Sequence, residues 1–178
     1  AKRAVSQPVS VPAPVGGWNA RDSLAAMSPQ DAVVLQNWFP ATTECALRGG
    51  YTKHATGITG QVETIMAYAG ATTNKLFAIA GGKVYDVTSS GAVGAAAVTG
   101  LTNSRWGYCN IATGGGNFLS MANGVDAPRN YNGTTWSTPA ITGVTATKLR
   151  DPTLYAQRQF FIEDGSLKVW YLPVDSIA

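Results

Sequence analysis

Charge is what this chain has least of. Asp, Glu, Lys and Arg together make up 13 % of its 178 residues, with 13 basic against 10 acidic. That is about half the usual share for a globular protein. The basic excess is small, and the Lys and Arg stand singly. No basic stripe marks a dedicated reader of nucleic acid. Long apolar runs are missing too: none approaches the ~18–20 residues that span a bilayer. One His and two Cys leave no Cys/His metal cluster, and neither Cys45 nor Cys109 belongs to a CxxC pair. The sequence leaves a disulfide open, but with no secretory signal two free thiols are the simpler reading. The opening Ala1-Lys2-Arg3-Ala4-Val5 has a basic start without an apolar h-region, so synthesis in the cytosol is the default.

What is present points to a β protein. Five Trp, seven Tyr and five Phe exclude a wholly disordered chain. Glycine is abundant, at 20 residues. The length suits one domain that buries roughly 70 % of its unfolded surface. A surface so poor in charge resists aggregation badly unless partners cover it, which is a first sign of assembly.

Three segments are expected: an extended arm over 1–20, a helix-containing lead-in over 21–58 and a partial β domain over 59–178. In the arm, Pro8, Pro12 and Pro14 alternate with Val5, Val9, Val11 and Val15, which favours polyproline or edge-strand geometry. Such a segment either frays or lies on a neighbour. A short helix is expected from about Pro29 to Asn37. Ser28 is placed to cap it, Pro29 suits its first position, Asp31 sits in its first turn, and Pro40 stops it.

From about residue 60 the chain shows a weak internal repeat. Leu76-Phe77-Ala78-Ile79, Phe118-Leu119-Ser120-Met121 and Phe160-Phe161-Ile162-Glu163 begin 42 residues apart each time. Each is followed by a turn dipeptide: Gly81-Gly82, Asn123-Gly124 and Asp164-Gly165. These dipeptides suit two-residue turns with positive φ. Val62–Tyr68 and Trp106–Ile111 supply a preceding strand in the first two units, whereas Pro152 breaks the pattern in the third. A period of ~40–45 residues is the range of β-propeller blades. The expected fold is therefore mainly β, with about three propeller-like antiparallel units, an N-terminal arm and one short helix. A propeller typically closes with 4–8 blades, so the sequence reads as a piece of a longer chain or as a subunit closed by partners. Gly91–Gly100 reads as a flexible loop or as an edge segment packed closely on a neighbour.

No catalytic constellation stands out. His54 is the only histidine, and no Ser sits in a G-x-S-x-G elbow. The carboxylates are mostly isolated. Asn123-Gly124-Val125-Asp126 lacks the order of a calcium loop. The glycine runs lack phosphate-loop order. No cofactor, metal or catalytic residue is expected.

Several runs resemble a known family. They are Val15–Met27, Asp31–Pro40, Leu47-Arg48-Gly49-Gly50-Tyr51, Asn123–Arg129 and Trp170–Asp175. Together they resemble the N-terminal part of virion proteins of the tail hub or nozzle type from short-tailed phages. The resemblance covers most of the chain and implies a β-propeller subunit in a ring, commonly of six copies, below the portal and its adaptor. Such rings continue the DNA channel, retain DNA before ejection and carry fibres or spikes. The implied place is the virion tail, after synthesis in the host cytoplasm. The implied contacts are other copies, the portal or adaptor, fibre or spike proteins, and DNA in the lumen held without sequence preference. Val9, Val11, Val15, Trp18 and Arg21 of the arm are the expected partner contacts. Two other readings stay open. One is a carbohydrate-binding or host-surface adhesin domain built on exposed Trp. The other is a propeller glycan hydrolase with acids converging at its axis.

Overall fold

The structure, a computed structural model, describes residues 10–178. Val9 of the arm lies outside the described residues. The chain is mainly β, as expected; the helical content among the described residues is a single 3-10 turn at Ala146–Lys148. It divides into two units, one ending at Thr52 and the other starting at Lys53.

In the N-terminal unit, β1 (Gly17–Trp18) pairs in parallel with β2 (Asp31–Ala32). A hairpin follows, formed by β3 (Trp38–Pro40) and β4 (Cys45–Leu47). The helix expected over 29–37 does not form. Its start signal does operate, because Ser28 Oγ accepts from the Gln30 N–H at 3.3 Å and Ser28 O from the Asp31 N–H at 2.9 Å. The turn is not propagated, because the carbonyls it needs are already used. Gln30 O accepts from Gly16 N–H at 2.8 Å and Ala32 O from Asn19 N–H at 3.0 Å. Val33 O accepts from the Trp18 indole at 3.0 Å. Consecutive Val33 and Val34 also favour extended backbone. Burial is scarce in this unit: of residues 10–52, only Gly17 is buried.

The second unit holds the core. After β5 (Ala55–Thr56), a first antiparallel sheet is made by β6 (Val62–Ala69), β7 (Asn74–Ala80) and β8 (Lys83–Asp86). Next, β9 (Gly91–Ala92) pairs in parallel with β5. The glycine-alanine segment 91–100 is thus an ordered edge rather than a loose loop. Val98 is buried, and its backbone bridges Val84 of β8. The second sheet runs β10 (Gly107–Thr113), β11 (Gly116–Ala122), β12 (Arg129–Tyr131) and β13 (Trp136–Ser137). The third sheet runs β14 (Leu149–Tyr155), β15 (Arg158–Glu163) and β16 (Val169–Tyr171). The second strands of the three sheets start at residues 74, 116 and 158, 42 apart each time.

The third unit has its leading strand after all. Pro152 sits inside β14 at a register shift between Arg150 and Thr153, next to Asp151 at φ 50°. A bulge is the place where a strand tolerates proline, because no ladder N–H is required there.

The sheets stack in chain order. Side chains alternate between the two faces of a strand. Phe77 and Ile79 of β7 meet Leu119 and Met121 of β11 in one core, with Met66, Tyr68, Trp106 and Tyr131 around them. Tyr131 lies edge-on to Tyr68 and Phe77, with centroids 5.1 and 4.9 Å apart. Ala122 faces the other way and packs with Leu149, Phe161 and Leu172 against the third sheet. A strict repeat would point residues 42 apart in the same direction. Phe77 and Leu119 instead face each other, so the side-chain phase slips by one residue while the strand starts keep their spacing. A one-residue slip inverts every side chain, which sets the first unit apart from the other two, where Leu119 and Phe161, also 42 apart, both face the preceding sheet.

The turns divide in kind. Gly81-Gly82 is a two-residue turn with φ of 55° and 69°. A Cβ on Gly82 would lie 2.3 Å from Leu101 O. The other two dipeptides open longer links, 123–128 and 164–168, and only their glycines have positive φ. The tight turn of the third sheet is Ala156-Gln157, at φ 48° and 59°, which no glycine advertises.

Candidate interaction surfaces

The arm residues separate. Val11 is 83 % exposed and Trp18 68 % exposed, while Val15 is half-buried. Trp18 and Arg21 line one shallow cleft with Gly16, Asn19 and Asp31. Arg21 pairs with Asp22 at 3.0 Å, and Asn19 Nδ2 donates to Asp22 and Asp31 at 2.9 and 2.8 Å. The bonds from Arg21 and then Asn19 hold the Asp22 carboxyl below its ordinary pKa. The larger apolar surface of this unit was missed in the sequence reading. Trp38 and Leu47 are 47 % and 65 % exposed on the hairpin, and Tyr51 beyond it is 87 % exposed.

Two of the expected turns come together between the second and third sheets. Asn123 Oδ1 accepts from the backbone N–H of Val125 and Asp126 at 3.0 and 2.7 Å. Gly124 N–H donates to Leu149 O at 2.9 Å, and Asp164 N–H to Lys148 O at 2.7 Å. Arg150 then joins Asp164 at 3.0 Å and Asp151 at 2.8 Å. Burial pushes the Asp126 pKa up, but bonds from Thr102 and Asn123 outweigh it and hold the group below its ordinary value. Beside this node lies a polar cleft of about 320 Å³, lined by Glu63, Arg105, Trp106, Asn123, Arg150 and Asp151. It sits where β6, β10 and β14 begin. Arg105 bonds Glu63 at 3.0 Å, so each arginine of the cleft already holds a carboxylate. Both ion pairs are solvent-exposed, and the two acids are engaged rather than converging on open space.

A polar row lies between the second and third sheets. Cys109, Ser120, Asn130 and Ser137 are cross-strand neighbours on one face. Gln159 of β15, fully buried, donates to Ser120 Oγ and approaches Cys109 Sγ at 3.7 Å. Burial pushes the Cys109 thiol up to about 11, with the Gln159 contact a smaller opposing effect. Cys45 and Cys109 are both free.

The outer face of the third sheet is uncovered among the described residues. Tyr155, Ile162, Val169 and Tyr171 are 74 %, 45 %, 62 % and 61 % exposed. Phe160 sits between the two tyrosines, 6.5 Å from Tyr155 and 5.8 Å from Tyr171 between centroids. The Arg158 guanidinium lies 5.3 Å over the Tyr171 ring.

Other candidates have local duties. His54 Nε2–H donates to Val87 O at 2.9 Å. Trp106 is buried, and Trp136 and Trp170 are half-buried against the cores. Among the described residues no group of three His, Cys, Asp or Glu is placed to hold a metal, and no helix is long and apolar enough to cross a membrane. Comparisons with protein families, with curated proteins and with solved structures found no match.

Proposed function

We propose that the chain is a structural subunit of a short-tailed phage tail hub or nozzle. In this reading, copies form a ring that continues the DNA channel below the portal and adaptor and helps to retain and release DNA. The observation that carries it is the stack of three antiparallel sheets at 42-residue spacing, joined to an N-terminal unit whose apolar side chains stay uncovered. The stack supports blades of a propeller-like fold, in which successive meanders pack face to face. The uncovered side chains suit a chain that completes its packing in an assembly. The charged residues are few and scattered, which suits a lumen that touches phosphate weakly and does not read sequence. No catalytic step is assigned. Portal or adaptor proteins and fibres or spikes are the other contacts proposed. The test is immunogold labelling of virions from the phage that encodes the chain. Label at the tail supports the reading; particles with unlabelled tails, in a preparation where the antibody detects the purified protein, refute it.

A further inference from the structure

We propose that Asn132 is a site of spontaneous modification, at which the chain converts its own carboxamide to isoaspartate. The chain holds two Asn-Gly pairs, Asn123-Gly124 and Asn132-Gly133. In the reaction the glycine nitrogen loses its proton to a base in the solvent and attacks the Asn Cγ. The C–N bond of the carboxamide breaks, ammonia leaves and a cyclic succinimide remains. Water opens the succinimide at either carbonyl, giving isoaspartate or aspartate. Water is the only co-reactant, and no oxidant or cofactor takes part. Glycine favours the attack because no side chain shields its nitrogen. The site stands independently of the tail assignment.

Three differences separate the two pairs. The first is the nucleophile. Gly124 N–H donates to Leu149 O at 2.9 Å, whereas Gly133 N–H makes no hydrogen bond among the described residues. A bonded N–H keeps its proton from solvent base until the bond opens. The second is the carboxamide nitrogen. Asn123 Nδ2 donates to Asp126 Oδ2 at 2.8 Å and to Asn103 Oδ1 at 3.2 Å. Donation from Nδ2 pushes electron density towards Cγ and makes it a poorer electrophile. Asn132 is held through its oxygen alone, by the Thr134 and Thr135 N–H groups at 2.9 and 2.8 Å. Those bonds draw charge onto Oδ1 and are in place for the oxyanion that the attack creates. Asn123 Oδ1 has the same kind of support from Val125 and Asp126, so the discrimination lies in the two nitrogens. The third is access: Asn132 is exposed and Asn123 half-buried. The Asn132 turn is also tied to the core. Gly133 O accepts from the Tyr131 hydroxyl at 2.9 Å, and a Cβ on Gly133 would lie 2.7 Å from the Tyr68 hydroxyl. Isoaspartate lengthens the main chain by one methylene and adds a negative charge beside both tyrosines. Modification therefore loosens the core between the first and second sheets, to which both belong.

The experiment ages the full chain in neutral buffer, once folded and once in urea, and quenches samples in acid. Trypsin places the two pairs on different peptides, 106–129 and 130–148, and mass spectrometry with fragmentation follows deamidation at each. In the folded chain Asn132 is expected to convert about tenfold faster than Asn123, the rate factor of one hydrogen bond that must open first. In urea the two rates should converge. Asn132→Gln should remove the fast phase, because the longer side chain cyclises far less readily, and near-UV circular dichroism checks that its fold is kept. Equal rates in the folded chain overturn the proposal. So does an Asn132 that converts only after unfolding, since the turn then protects it as well. A difference that persists in urea also overturns it, because the hydrogen bonds are then not its cause. Aged chain carrying the change at Asn132, separated by ion exchange, should unfold at a lower urea concentration than fresh chain; an unchanged midpoint contradicts the loosening of the core.

Discussion

Phe77 offers the sharpest test of how the sheets are held. Its side chain is 1 % exposed and lies between the first and second sheets, with the rings of Tyr131 and Trp136 at 4.9 and 5.1 Å. Phe77→Ala removes a ring from a core whose neighbours come from two different sheets. Those neighbours cannot close the gap without shifting a whole sheet. The expected loss is therefore in the upper range for such truncations, about 3–5 kcal/mol. For residues 53–178, a loss of that size lowers the melting temperature by roughly 10–20 °C. Urea unfolding followed by tryptophan fluorescence reads the change, because Trp106 and Trp136 line the same core. Leu167→Ala is the control. Leu167 is fully exposed, so the change should stay within about 0.5 kcal/mol. A Phe77→Ala loss below about 1 kcal/mol would mean that the first and second sheets do not share a packed core, and would refute the stacking.

Other outcomes follow from single features. Replacing Ala156-Gln157 with Asn-Gly should raise stability by about 1 kcal/mol in calorimetry, because both residues now stand at positive φ. Gly82→Ala should destabilise by more than about 2 kcal/mol, since its Cβ would meet Leu101 O. Asp126 has a depressed folded pKa, so its contribution is present above the unfolded carboxyl value near 3.9 and is lost as pH falls through the folded one. Asp126→Asn should flatten the decline in urea midpoint below about pH 4 while lowering the midpoint at pH 7. In a Cys45→Ser background, Cys109, with its pKa near 11, should be alkylated at pH 8 roughly a hundredfold more slowly in the folded than in the urea-unfolded chain.

The repeat was legible in the sequence because its signals are local. Apolar quartets and glycine-containing dipeptides mark where strands start and end, and the strand starts keep the 42-residue spacing in three dimensions. The facing of the side chains was not legible. It depends on a one-residue slip that inverts Leu119 relative to Phe77 without moving the strand boundaries. Pro152 misled for a related reason: a bulge absorbs it, with Asp151 at positive φ, and neither is marked in the sequence. The lost helix over 29–37 was a contest between a good local start and distant partners. Ser28 and Pro29 supply the start, while Gly16, Trp18 and Asn19 take the carbonyls of Gln30, Val33 and Ala32. Nothing local to 29–37 announces those partners. Of the expected arm contacts, Trp18 and Arg21 share a cleft, and Val11 stands apart. The exposed sheet face escaped notice because Phe160, Ile162 and Tyr171 read like core residues until the pairing shows which side they occupy.

The central claim is that the chain works as one subunit of a tail ring. Electron microscopy of the native assembly tests it most directly. The account predicts closed rings of about six copies around a central channel, as a head-to-tail contact produces, with the same ring found below the portal in intact particles. A protein that remains single in solution and has no ring density in the tail would contradict it.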